Sequence, residues 1–123
     1  MNDSIIKFDN VGKQFPGVKA LDNINFNVKK GEVHALLGEN GAGKSTLLNI
    51  LHGVYNEYEG SVLLHGEKVN FKDPNQAIVE GKISKVHQET MVVEDLTVGQ
   101  NITLGYEPKK RCFVDFSKMN VTV

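Results

Sequence analysis

Apolar and polar positions along the chain alternate in ways that predict short strands mixed with short helices. Ile5 to Phe8 reads as a short strand. Lys13-Gln14-Phe15-Pro16-Gly17 then reads as a loop, because Pro-Gly marks a turn. From Asn23 to Val28 the alternation is strict, with Asn23, Asn25 and Asn27 on one side and Ile24, Phe26 and Val28 on the other. That period of two predicts a half-buried strand with its asparagines toward water. Val33 to Leu37 is apolar apart from His34, the pattern of a strand buried on both faces. His34 is then expected to be a partnered core residue. Gly38 to Gly43 is a glycine-rich loop, and Leu47, Leu48, Ile50 and Leu51 recur at helical spacing. A helix over Ser45 to Leu51 follows, with Gly53 as its stop.

The second half is patterned more weakly. Ser61 to Leu64 and Lys68 to Phe71 read as two strands joined by a tight turn at Gly66-Glu67. Asp73-Pro74 opens a short helix, with a capping residue and a first-turn proline, and Gly81 ends it. Ile83 to Val86 reads as a further strand. Thr97-Val98-Gly99-Gln100 has the form of a capping box and predicts a helix through Leu104. Past Pro108 the pattern fades, and no repeat or low-complexity segment is present. Strands mixed with helices, including a strand-loop-helix, indicate the α/β class.

Composition narrows the function. The 123 residues are 40% hydrophobic and 24% charged, which suits one compact domain and excludes a disordered tail or a fibrous repeat. Lys and Arg number 14 against 15 Asp and Glu, a net charge of -1. No broad basic surface for nucleic acid is therefore expected, although one small phosphate pocket remains compatible. Cys112 is the only cysteine, so no intramolecular disulfide forms, which fits a reducing compartment. The polar, acidic start Met1-Asn2-Asp3-Ser4 lacks the apolar core of a signal peptide. No apolar run approaches the roughly 20 residues of a membrane helix. The chain by itself is expected to be soluble and cytosolic. In that setting Asn101-Ile102-Thr103 and Asn120-Val121-Thr122 are chance matches to the glycosylation acceptor pattern. His34, His52, His65 and His87 show no metal-ligand spacing, so zinc is not expected.

The strongest chemistry lies in Gly38-Glu39-Asn40-Gly41-Ala42-Gly43-Lys44-Ser45, the pattern Gly-x-x-x-x-Gly-Lys-Ser/Thr. Glycines let backbone amides curl around an anion in conformations that a side chain would block. The following helix offers its free amino-terminal amides and positive dipole end to the same anion. Lys44 adds a mobile charge for the β- and γ-phosphates, and the Ser45 hydroxyl can ligate Mg²⁺. The motif follows an apolar run and opens a helix, as a phosphate loop must. A loop of this kind reads phosphates and does not choose between ATP and GTP.

Four stretches taken in order resemble one family. They are Phe15-Pro16-Gly17-Val18-Lys19-Ala20-Leu21, Leu37 to Leu47, Val86-His87-Gln88-Glu89 and Leu96-Thr97-Val98-Gly99-Gln100-Asn101-Ile102. The chain is similar, from about Ile5 to Gly105, to the amino-terminal part of an ABC transporter ATP-binding subunit of the ribose, galactose and xylose import type. The resemblance implies a P-loop NTPase of ABC type, with an antiparallel β lobe and an incomplete α/β core. It implies ATP and Mg²⁺ as ligands, with Gly38, Glu39, Asn40, Gly41, Ala42, Gly43, Lys44, Ser45 and Thr46 on the nucleotide. Phe15 falls where the family places an aromatic that stacks on adenine; the alternative is a packing residue like Phe8 and Phe26. Gln88 falls on the family's glutamine loop, where its amide oxygen would bind Mg²⁺ beside Ser45 or orient the attacking water, and His87 accompanies it. Lys82 departs from the family, which usually has glycine there, and puts the local loop shape in question.

Two segments imitate later parts of such an ATPase. Met91-Val92-Val93-Glu94-Asp95 is too short and has its acids reversed for the apolar strand that ends in Asp-Glu. Leu96-Thr97-Val98-Gly99-Gln100 has valine where the signature Leu-Ser-Gly-Gly-Gln has glycine, and comes too early. Residues 1–123 are thus expected to be the amino-terminal portion of a nucleotide-binding domain, ending before the signature and the catalytic carboxylates. No catalytic residue is expected within them, and they should bind nucleotide without turning it over. The parent protein would be an ATPase peripheral to the cytoplasmic face of the membrane. Its partners would be transmembrane sugar permease subunits and a second nucleotide-binding domain. Strands that lack their neighbours should leave the chain prone to self-association or to partial disorder near its carboxyl end. The alternatives are a non-transport ABC ATPase of the translation or DNA-repair type, or an inert binding fragment.

Overall fold

The computed structural model describes residues 4–87, 92–105, 107–110 and 113–121. The chain forms two units, one up to Lys85 and the other from Val86 on. The first is built on four strands, β1 (Ser4–Phe15), β2 (Val18–Lys29), β3 (Glu59–Leu64) and β4 (Glu67–Val69). They lie in the order β2-β1-β3-β4, every neighbour antiparallel. Helices α1 (Lys44–Leu51) and α2 (Pro74–Val79) complete this unit. The second unit contains α3 (Val98–Thr103), a hairpin of β5 (Lys109–Lys110) and β6 (Phe113–Val114), and α4 (Phe116–Val121).

The core of the first unit joins the sheet to α1. Phe8 and Val11 from β1, Leu21 from β2, Val62 from β3, and Leu47 and Ile50 from α1 are all buried together. Phe8 stacks on Phe26 with ring centroids 4.7 Å apart. In β2 the asparagines face outward as the alternation predicts, while Ile24, Phe26 and Val28 are half-buried. One of those asparagines also ties down the backbone. The pairing of β1 with β2 slips between Phe8 and Val11, and Asn10 and Asn23 take left-handed φ angles of 52° and 50°. The Asn25 amide bridges both, accepting from Asn10 N at 2.9 Å and donating to Asn23 O at 2.9 Å. Asparagine tolerates this conformation better than most side chains.

Several boundaries differ from the expected ones. The first strand runs on to Phe15, so Lys13 and Phe15 are strand residues and only Pro16-Gly17 turn, with Gly17 at φ 78°. The bulge at Asn10 hides this continuity, because it breaks the alternation halfway. The later hairpin turns at His65-Gly66, at φ 52° and 85°, and its second strand stops at Val69. Two left-handed residues in succession suit the right-handed twist of a hairpin.

Val33 to Leu37 is not a strand, and neither is Ile83 to Val86. Val33, Leu37 and Val86 are 99%, 89% and 96% exposed. An apolar run becomes a doubly buried strand only where strands flank it, and among the described residues none pairs with either run. Among the described residues the antiparallel lobe is therefore seen without the parallel strands of an α/β core. His34 is likewise exposed, not buried. Its ring stacks on Phe26 at 5.3 Å, and its Nδ1 lies 3.1 Å from Glu32 Oε1. The Lys29 backbone N–H, and then His34, hold the Glu32 carboxyl below its ordinary pKa.

The caps are where the sequence places them. Asp73 accepts from Gln76 N at 2.8 Å to start α2. Thr97 and Gln100 form the reciprocal capping box of α3. Gly99-Gln100 therefore lies in the first turn of a helix, and Val92 to Leu96 form no strand. The Asn101 amide nitrogen is held by the carbonyls of Val93, Leu96 and Thr97.

Beyond α2 the chain passes Gly81, whose added Cβ would lie 2.6 Å from Phe71 Cζ and 2.7 Å from Ala77 O. Lys82 then adopts φ 54°. A lysine in that region costs about 1 kcal/mol. Glycine would relieve it but lose more chain entropy on folding. We expect Lys82→Gly to raise stability by about 0.5 kcal/mol, read as a higher urea midpoint at unchanged slope. A lower midpoint would show that the lysine side chain contributes more than its backbone costs.

Candidate functional site

The glycine-rich loop leads directly into α1. Gly43 is the N-cap of that helix, at φ 89°, and no side chain caps it. Leu47 N donates to Gly43 O at 2.9 Å, the first bond of the helix. By helix geometry the amides of Lys44, Ser45 and Thr46 have no intrahelical acceptor. They form, with the helix dipole, a donor cluster suited to an anion. Earlier in the loop, Ala42 N donates to Glu39 O at 3.1 Å and Gly41 takes φ 85°.

Gly43 is required by packing as well as by φ. A Cβ there would lie 2.4 Å from Ala20 O and 2.8 Å from Leu21 Cδ2. The loop is thus seated against the first residues of β2. Gly41 has open space around its missing side chain. Gly38 is intermediate, with Ala42 Cβ 3.1 Å from its would-be Cβ.

The Lys44 ammonium donates to Gly38 O at 2.5 Å and to Glu39 O at 2.7 Å. It closes the loop on itself and holds its positive charge there. Ser45 is exposed at the start of α1, as are Glu39 and Asn40 in the loop, while Thr46 is half-buried. Backbone amides, one ammonium and one hydroxyl form a donor set that fits a polyphosphate with magnesium. Among the described residues no group of three or more His, Cys, Asp or Glu side chains could hold a metal. Magnesium held mainly by phosphate oxygens and water, with few protein ligands, needs no such group. Next to Ala20, Lys19 pairs with Asp22 at 2.7 Å. The hydrogen bond, and then the charge of Asp22, raise the Lys19 ammonium above its ordinary pKa.

Phe15 sits at the end of β1, paired with Val18 across the turn. Ala20, against which Gly43 packs, lies two positions beyond that partner. The fold thereby brings Phe15 and the phosphate loop to the same end of the hairpin. Phe15 is half-buried, unlike Phe8, which is 3% exposed in the core. Its ring meets Tyr55 edge-on, with centroids 5.3 Å apart at 70°. Lys13 Nζ lies 5.4 Å from the centroid of Phe15 and 5.7 Å from that of Tyr55. Neither neighbour is singled out by sequence. Lys13 carries a signal in its spacing of two from Phe15, which puts both on one face of a strand. Tyr55 carries none. Gln88 and Glu89 lie outside the described residues, and His87 is exposed in an irregular segment.

Comparison with known proteins follows the same outline. The model of the ABC transporter family matches residues 21–122. The chain is 50% identical over 115 residues to the galactose/methyl galactoside import ATP-binding protein MglA of Sodalis glossinidius, covering 94% of this chain and 22% of that protein. It is 56% identical over 106 residues to the guanosine import ATP-binding protein NupO of Bacillus subtilis, covering 86% of this chain and 21% of that protein. Among solved structures it is similar to a nucleotide-free ATP-binding cassette from an ABC transporter. That likeness has a TM-score of 0.74 at 28% identity, over 97% of this chain and 46% of the other. The chain thus spans between a fifth and a quarter of the length of these two curated relatives.

Proposed function

This chain belongs to the ABC transporter family, and from that premise we propose that it forms the nucleotide-docking part of an ATPase subunit that energises import of a sugar. The observation that carries this is the loop. Its left-handed Gly41 and Gly43, its Lys44 ammonium and its uncapped helix start together are a donor set suited to an anion. Gly38 to Thr46 would hold the phosphates of ATP, Phe15 would stack on the base, and Ser45 would reach magnesium. Gln88 would supply the second magnesium contact. When bound, magnesium would neutralise phosphate charge. In the whole protein the subunit would sit against transmembrane permease subunits at the cytoplasmic face of the membrane and pair with a second nucleotide-binding domain. Among the described residues no helix is long and apolar enough to cross a membrane, which suits a peripheral subunit. Residues 1–123 would bind nucleotide without sustained turnover, because their sequence holds no Leu-Ser-Gly-Gly-Gln and no strand ending in Asp-Glu. Exposed Val33, Leu37 and Val86 favour self-association of this chain.

A second cargo class is favoured by one observation, the similarity to a guanosine importer. Sugar and nucleoside cargo would be separated by uptake of labelled galactose and labelled guanosine into cells with and without the gene. The nucleotide reading is tested by calorimetric titration of the purified chain with MgATP and MgGTP. We expect both to bind, and Phe15→Ala to weaken each by about 3- to 10-fold, since an aromatic stack contributes about 1 kcal/mol and accepts either base. Absence of binding at millimolar MgATP would overturn the proposal.

A further inference from the structure

We infer that Tyr55 and Lys13 are positioning residues, which hold the Phe15 ring in the orientation that a nucleobase stacks against. This rests on the reading of Phe15 as the base-stacking aromatic and adds to it the parts that fix the ring. A phenylalanine at the last position of a strand, beside a two-residue turn, has few neighbours to select its rotamer. Here two groups do so from different parts of the chain. Lys13 stands two residues earlier on the same face of β1. Its ammonium donates to the Glu57 carbonyl and so is tethered beside both rings.

Tyr55 follows the carboxyl end of α1, which stops at Leu51. Its backbone N–H and that of Val54 donate to Asn49 O at 3.3 and 2.8 Å, which fixes the residue to the helix. Its ring is half-buried against the core and meets Phe15 edge-on, the arrangement favoured by the ring quadrupoles. The helix that opens at the phosphate loop therefore also positions, through its other end, the aromatic assigned to the base. Phe15 remains half-buried, so part of its ring is within reach of a ligand. The chemistry suited to it is a flat aromatic base carried by a polyphosphate.

The test is calorimetric titration of the purified chain with MgATP and with magnesium tripolyphosphate, which has the phosphates but no base. Tyr55→Leu should weaken MgATP binding about 3- to 10-fold and leave tripolyphosphate binding unchanged. Tyr55→Phe, which keeps the ring edge, should restore it. Lys13→Met, which keeps the stem and removes the charge, should weaken MgATP alone by about 2- to 5-fold. Lys13→Met also carries the test should Tyr55→Leu fail to fold. If Phe15→Ala weakens MgATP binding while the Tyr55 and Lys13 variants do not, the ring needs no support and the inference fails, with the role of Phe15 intact. If Phe15→Ala leaves MgATP affinity unchanged, the role of Phe15 fails and the inference with it. Equal losses for both ligands in the Tyr55 or Lys13 variants would mark those residues as supports of the whole loop and overturn the inference.

Discussion

Gly43→Ala is expected to destabilise the chain by about 3 kcal/mol or more and to abolish nucleotide binding. Two costs combine. The backbone there sits at φ 89°, where any side chain costs about 1–2 kcal/mol. The added methyl would also meet Ala20 O at 2.4 Å and Leu21 Cδ2 at 2.8 Å. Ala20 belongs to β2 and Leu21 to the core, so neither can retreat without moving strand backbone or core packing. The control is Gly41→Ala. That residue has nearly the same φ, 85°, but open space around the missing side chain, so it should cost only the conformational part, about 1–2 kcal/mol. Urea unfolding of the two variants measures the difference. Equal midpoints would show that the loop is not seated on β2 as the geometry states.

The contrast between those glycines also marks what the sequence could and could not reveal. The motif places both glycines, because phosphate loops need backbone conformations that only glycine adopts easily. Nothing in it says that one of them also rests on a strand from a distant hairpin. The same division runs through the fold. Local signals were legible: the alternation of Asn23 to Val28, the Asp73 cap and the Thr97-Gln100 capping box each depend on residues within a few positions. Conditional signals were not. Val33 to Leu37 and Ile83 to Val86 have the composition of buried strands, but an apolar run states a demand for cover and not its supply. Among the described residues no strand flanks them, and they are irregular, with Val33, Leu37 and Val86 exposed while Leu36 packs against the edge of the core. The length of β1 was hidden because Asn10 breaks its alternation at a bulge that Asn25 stabilises from the neighbouring strand. Lys82 was legible only by resemblance, as a lysine where glycine is usual. The structure shows why glycine would suit: the position has φ 54°. Tyr55 could not be anticipated, since its meeting with Phe15 depends on how α1 crosses the sheet.

Lys44→Ala should separate charge from shape at the same loop. The ammonium donates to the carbonyls of Gly38 and Glu39, so its removal takes away a cation and two tethers together. The tethers are exposed, and exposed hydrogen bonds to a flexible lysine contribute little; stability should change by less than about 1 kcal/mol. The cation matters more to a polyphosphate. A charge-assisted hydrogen bond is worth about 1.5–3 kcal/mol, a loss of roughly 10- to 100-fold in MgATP affinity. Lys44→Arg keeps the charge but replaces a compact ammonium with a planar fork, which fits poorly among carbonyls turned toward a point donor. It should recover only part of that loss. Tripolyphosphate should lose as much affinity as MgATP in both variants, because Lys44 acts on phosphate and not on the base. Phe15→Ala should do the opposite, weakening MgATP alone. A Lys44→Ala chain that bound MgATP within threefold of the unaltered chain would place the nucleotide phosphates elsewhere, since amides of the loop are common to both proteins and only the cation differs.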